Sequence, residues 1–93
     1  MSYKYVMFEL DVSESGIKQR IPVIFPSQIT HADLADTLRS LLDRGEQRVS
    51  VHSAGFVNLT CSDVYGKSET LDLKVDEQDR EIINSFPYFS GFV

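Results

Sequence analysis

The amino-acid sequence predicts an α+β fold: a mostly antiparallel sheet of four to five strands with two helices, in the order ββαβ(β)βα and stacked as two layers. Three observations carry that prediction. Apolar residues alternate with period two in residues 3–12, 17–25 and 71–75, and one apolar stripe of helical spacing runs from Leu34 to Leu42. Clusters of Gly, Ser, Asp and Pro separate these stretches, as turns do. With 93 residues, 42% of them apolar and 25% charged, the chain has room for one domain, residues 1–93. A chain of this size hides roughly 65% of its unfolded surface, enough to fold alone with little to spare.

In YKYVMFELDV, Val6, Phe8, Leu10 and Val12 share one face while Glu9 and Asp11 point the other way, the pattern of a half-buried strand. After Ser13-Glu14-Ser15-Gly16 the alternation returns, with Ile17, Ile21, Val23 and Phe25 opposite Lys18 and Arg20. One register satisfies both faces. Val12 against Ile17 sets Phe8 against Ile21 and Val6 against Val23, and on the other side Asp11 against Lys18 and Glu9 against Arg20. Pro22 has no N–H for a ladder, so its strand belongs at an edge.

Beyond Pro26, Thr30 and Asp33 form the N-cap and acidic first turn of a helix over residues 31–44, with Leu34, Leu38, Leu41 and Leu42 as its stripe and Gly45 as its stop. Val49 and Val51, then Val57, Leu59 and Cys61, give two short strands or one strand bulged at Gly55. Val64 to Ser68 reads as a loop, Leu71, Leu73 and Val75 as a strand. Asp76 then caps a short helix carrying Ile82, Ile83 and Phe86, which Pro87 disfavours from continuing.

Charge and composition exclude several function classes. The net charge of −5 is uneven, with six basic and seven acidic residues in 1–50 against three and seven in 51–93. No cluster of Lys and Arg suits a phosphate backbone, so no direct nucleic-acid partner is expected. No apolar run approaches the ~20 residues of a membrane helix, and no signal peptide is read at the start. The lone Cys61 agrees with a reducing compartment, so a cytoplasmic protein is expected.

The stretches IPVIFPSQITHADLADTL, VHSAGFVNL and SETLDL…DREII resemble short uncharacterised proteins encoded in tailed phages and prophages. The resemblance implies a phage or prophage origin, with the host cytoplasm as location, and brings no activity or catalytic residue with it.

The residues themselves assemble no chemistry. His31-Ala32-Asp33, and His52 with Cys61, do not have a zinc spacing, and adjacent His52 and Ser53 point to opposite faces of a strand. The five glycines stand singly, so there is no phosphate-cradling loop. Asp76, Glu77, Asp79 and Glu81 read as the solvated acidic start of a helix. No catalytic residue, metal or cofactor is expected.

What the sequence does point to is a surface. Four of the ten aromatic residues, Phe86, Tyr88, Phe89 and Phe92, fall in the last eight positions. Left in water they would expose on the order of 600 Å² or more. The outward face of the hairpin shows Tyr3, Tyr5, Met7 and Ile24 at its open end, a second apolar patch in want of cover. The tail covers that patch in its own chain, in a second copy of the chain, or it meets another protein. The expected function is a small non-enzymatic interaction or accessory protein, a homodimer among its expected assemblies, acting through Tyr5, Met7, Ile24, Tyr88, Phe89 and Phe92. The alternative is an acidic inhibitor that mimics nucleic acid through residues 72–81 against a host DNA-binding enzyme.

Overall fold

The computed structural model describes residues 2–12, 17–42, 47–58 and 63–85. Its elements in chain order are β1 (Ser2–Val12), β2 (Ile17–Phe25), α1 (His31–Leu42), β3 (Gln47–Asn58), β4 (Asp63–Tyr65), β5 (Lys67–Ser68), β6 (Leu73–Lys74) and α2 (Asp79–Asn84). The strands make a four-stranded antiparallel sheet in the order β2-β1-β3-β4 and a separate two-stranded one, β5-β6. The fold is therefore α+β, as the sequence predicts.

The hairpin register is the expected one throughout: Val12 faces Ile17, Phe8 faces Ile21, Val6 faces Val23, Asp11 faces Lys18 and Glu9 faces Arg20. β2 lies at the sheet edge, where Pro22 costs no ladder bond from a second neighbour. β1 lies inside, paired on both sides, and Tyr5, Val6, Met7 and Phe8 are all fully buried. Four consecutive buried residues on a strand mean that both faces are covered. The expectation of a half-buried β1 is corrected accordingly.

The two covers are different helices. α1 packs Leu34, Ala35 and Leu38 against Val6, Phe8, Leu10, Val49 and Ala54. α2 packs Ile82 and Ile83 against Tyr5, Met7 and Val57 on the opposite face. Alternation along β1 puts Val6 and Phe8 on one side and Tyr5 and Met7 on the other, so a single strand supplies two cores.

α1 begins as read from the sequence. The Thr30 hydroxyl oxygen accepts from the Asp33 N–H at 3.1 Å, and the Ala32 N–H donates to Thr70 Oγ1 at 3.1 Å. Its inner face, however, is built on His31 and Ala35, both buried, with Leu34 and Leu38 beside them; Leu41 is 58% exposed. The stripe is rotated from the leucines toward the smaller Ala35.

β3 is one continuous strand whose bulge lies at His52, not at Gly55. Met7 pairs with Ser53 and Phe8 with Val51, leaving His52 as the additional residue. The bulge moves Ser53 to the α2 side while Val51 stays on the α1 side. Gly55 remains in register opposite Tyr5 because nothing larger fits. A Cβ there would lie 2.5 Å from Val75 Cγ1 and 2.9 Å from the Tyr65 carbonyl oxygen.

The segment read as a loop at 64–68 holds β4 and β5, divided by Gly66 at φ +78°. The strand expected over 71–75 shrinks to Leu73–Lys74, because residues 69–72 turn and Asp72 takes φ +54°. α2 starts at Asp79; Asp76 caps the turn before it, its Oδ1 accepting from the Gln78 N–H at 2.9 Å. The sequence readings at Ser13–Gly16, Gly45, Leu59, Cys61 and Phe86 fall outside the described residues.

Gly55→Ala forces either Val75 or the β4 backbone to move. The expected loss is about 1–3 kcal/mol, measured as a shift in the urea unfolding midpoint at unchanged slope.

Candidate functional site

Tyr5, Met7 and Ile24 were expected as an open surface. Tyr5 and Met7 are fully buried and Ile24 is half-buried, all in the cluster that α2 closes. The patch is covered from within the chain, by Ile82 and Ile83, which corrects that part of the expected surface. Tyr88, Phe89 and Phe92 lie outside the described residues.

Beneath α2 sits a polar system. Asp79 is fully buried, and its Oδ2 accepts from the Tyr5 hydroxyl at 2.5 Å, the Ser53 hydroxyl at 2.7 Å and the Asp76 N–H at 2.9 Å. Its Oδ1 is buried with no partner among the described residues. Burial first, and then the hydrogen bond and charge of Asp79, push the Tyr5 phenol far above its ordinary value, so Tyr5 stays a donor. Asp79 had been read as a solvated first-turn acid. Its spacing ahead of Ile82 and Ile83, at i+3 and i+4, is the signal that placed it on the inner face.

Around this system the turn before α2 is tied to the sheet. His52 Nε2 donates to Asp76 Oδ2 at 2.9 Å, its Nδ1 lies 3.9 Å from Glu9 Oε2, and Glu9 Oε2 is 3.5 Å from Arg20 Nε. Arg20 Nη1 donates to Gln78 Oε1 at 2.7 Å, and Arg80 pairs with Asp63 at 3.0 Å. Of the acidic segment 72–81, Asp79 is interior and Asp76 is engaged by His52 and the Gln78 N–H. The negative surface it presents is smaller than its composition suggests. Among the described residues no group of three or more His, Cys, Asp and Glu could hold a metal ion.

A different surface opens at the start of α1. Residues Phe25, Lys4, Phe56 and Tyr65 form one row across β2, β1, β3 and β4, in that order. His31 stands between Phe25 and Phe56, edge-on to both at 5.6 Å, and Tyr65 stacks on Phe56 at 5.8 Å. The rings thus step from the core at Phe25 to the surface at Tyr65, which is 44% exposed. His31 Nε2 lies 2.8 Å from the Gly55 carbonyl oxygen; a carbonyl only accepts, so the ring proton is on Nε2. Burial lowers the His31 pKa, opposed by that hydrogen bond and helped by the Lys4 charge, so the ring is neutral.

Beside this row is a cleft of about 240 Å³ with Phe56 and His31 in its wall and Lys4, Thr30, Lys67, Glu69 and Thr70 around it. Lys4 Nζ donates to the Ile29 carbonyl at 3.0 Å, which leaves it two further N–H groups. Lys4 and Lys67 against Glu69 make the cleft locally basic on an acidic chain. Aromatic walls with ammonium and hydroxyl donors at the rim suit a group that is apolar at one end and anionic at the other. Sequence reasoning missed this site because its residues come from four separate stretches of the chain. His31, lying on the line of Leu34 and Ala35, was its nearest signal.

No protein-family model, curated protein or solved structure matches the chain.

Two pH dependences follow from these groups. The Gln78 N–H first, and then His52, hold the Asp76 carboxyl below the usual aspartate range. Between about 3.9, the ordinary aspartate value, and that depressed value the unfolded chain binds more protons, so stability falls as pH falls. Asp76→Asn will flatten this acid limb in thermal melts. For His31 the window is higher: below about 6.5 the unfolded chain takes up a proton that the folded ring refuses, and stability again falls with pH. Urea midpoints at pH 7.5 and 5.5 will differ less for His31→Gln than for the wild type.

Proposed function

We propose that the protein is a small non-enzymatic interaction module whose partner surface is the cleft at the start of α1, with Tyr65, Phe56 and Ile29 as apolar contacts and Lys4 and Lys67 as charged ones. One observation carries the reading. Among the described residues three large apolar side chains are exposed, Ile29 at 41%, Tyr65 at 44% and Leu41 at 58%, and two of these are joined to residues that line the cleft. The Ile29 carbonyl accepts from Lys4, and the Tyr65 ring stacks on Phe56, both lining residues.

Exposed aromatic surface beside lysines is suited to a protein segment that presents carboxylates among apolar side chains. Such a segment belongs to a second copy of the chain or to another protein. The non-enzymatic part of the reading is supported by where the reactive groups point: the Tyr5 and Ser53 hydroxyls donate to Asp79, and His31 donates to Gly55, all inside the fold. The role of accessory factor from a phage or prophage rests on the resemblance of the three stretches quoted above.

A photo-crosslinking amino acid placed at Tyr65, at Ile29 and, as an exposed control on the α2 side, at Glu81 tests this. The expected result is one discrete protein adduct from positions 65 and 29, absent from position 81 and abolished by Lys4→Glu with Lys67→Glu. Adducts at position 81 alone, or equal adducts at all three positions, would overturn the assignment.

A further inference from the structure

We propose that residues 76–85 form a cover that opens as a local unit, baring the Tyr5–Met7–Ile24 face of the sheet while α1 and the opposite core stay folded. The inference starts from Asp79. It is a carboxylate sealed from water whose three donors all converge on Oδ2, with Oδ1 buried and unmatched among the described residues. A buried acceptor without a donor gives up its hydration with no hydrogen bond in return. That penalty falls on the closed state of this segment, and among the described residues no other buried side-chain N or O lacks a partner.

The rest of the segment holds little in reserve. α2 has six residues, too few to be helical on its own, and its N-cap Gln78 makes no side-chain capping bond. Its apolar anchors are Ile82 and Ile83. The outer ties, Asp76 to His52, Gln78 to Arg20 and Arg80 to Asp63, join partly exposed groups, and pairs of that kind contribute little. On the other side of the sheet α1 is twelve residues long, capped by Thr30 and anchored by Leu34, Ala35 and Leu38. The two cores touch opposite faces of β1, so one can open without the other. Local openings of this type are drawn from the least stable elements of a fold. The opened face holds Tyr5, Met7 and Val57, fully buried in the closed form, with half-buried Ile24 beside them.

Adjacent residues of β1 test this, because global unfolding exposes both equally. In a Cys61→Ser background, Met7→Cys lies under α2 and Val6→Cys under α1. Each is reacted with a thiol reagent under native conditions, and each rate is normalised to that variant's own global stability from urea unfolding. The cover predicts Met7→Cys labelling at least tenfold faster than Val6→Cys and nearly independent of low urea. Ser53→Ala, which deletes one donor to Asp79, will speed Met7→Cys labelling by about tenfold more and leave the normalised Val6→Cys rate unchanged. Equal normalised rates, or equal acceleration of both sites by Ser53→Ala, would overturn the proposal. Hydrogen exchange on the unmutated chain is independent of whether these variants fold. The Ile82 amide, bonded to the Gln78 carbonyl, should exchange by a denaturant-insensitive route at least tenfold faster than the Leu34 amide, bonded to Thr30; equal protection would also overturn it.

Discussion

Strand β1 buries four consecutive side chains, Tyr5 to Phe8, and a strand can do this only if each face of its sheet has a cover. That demand organises the molecule. A 93-residue chain cannot supply two large layers, so it spends its long helix on one face and a short segment on the other. Burying Ile83 fully contributes about 1.5–3 kcal/mol, which does not by itself hold a six-residue helix in place. The second cover is therefore completed by hydrogen bonds: Tyr5 from β1 and Ser53 from β3 both donate to Asp79. The bulge at His52 makes this possible, since without the extra residue Ser53 would share a face with Val51.

The same arrangement separates two kinds of surface. On the α2 side, polar groups that look reactive in the sequence are consumed by the fold: Tyr5 and Ser53 by Asp79, His52 by Asp76. On the α1 side, the row Phe25, Lys4, Phe56 and Tyr65 runs outward from the core to water, with neutral His31 locked between two rings. The position of His31 depends on Gly55, whose carbonyl accepts from its Nε2–H and whose missing side chain admits Val75. One residue of β3 thus serves both faces.

Much of this was legible in the residues, and what was hidden has physical reasons. The β1–β2 register could be read because both faces carried independent signals, apolar pairs on one and Glu9–Arg20 and Asp11–Lys18 on the other. The cap at Thr30 and the edge position of β2 were written in Thr30 and Pro22. β3 was harder: Ser53, Ala54 and Gly55 look like a break, yet each is small for its own reason, Ser53 to reach Asp79 beneath α2, Ala54 to lie in the α1 core and Gly55 to admit Val75. Asp79 was misread because acidic residues at a helix start are usually solvated, and only its alignment with Ile82 and Ile83 argued otherwise. The cleft could not be read at all, since Lys4, Thr30, Phe56, Lys67 and Thr70 meet only through the sheet register and the Ala32–Thr70 bond.

A two-sided β1 is most directly tested by nuclear Overhauser contacts in a single sample of the unmutated protein. The arrangement predicts contacts from the Phe8 ring to Leu34 or Leu38 methyls, and from the Tyr5 ring and Met7 methyl to Ile82 or Ile83 methyls, with no crossing between the two sets. Tyr5 and Met7 contacts to α1, or none to α2, would contradict it.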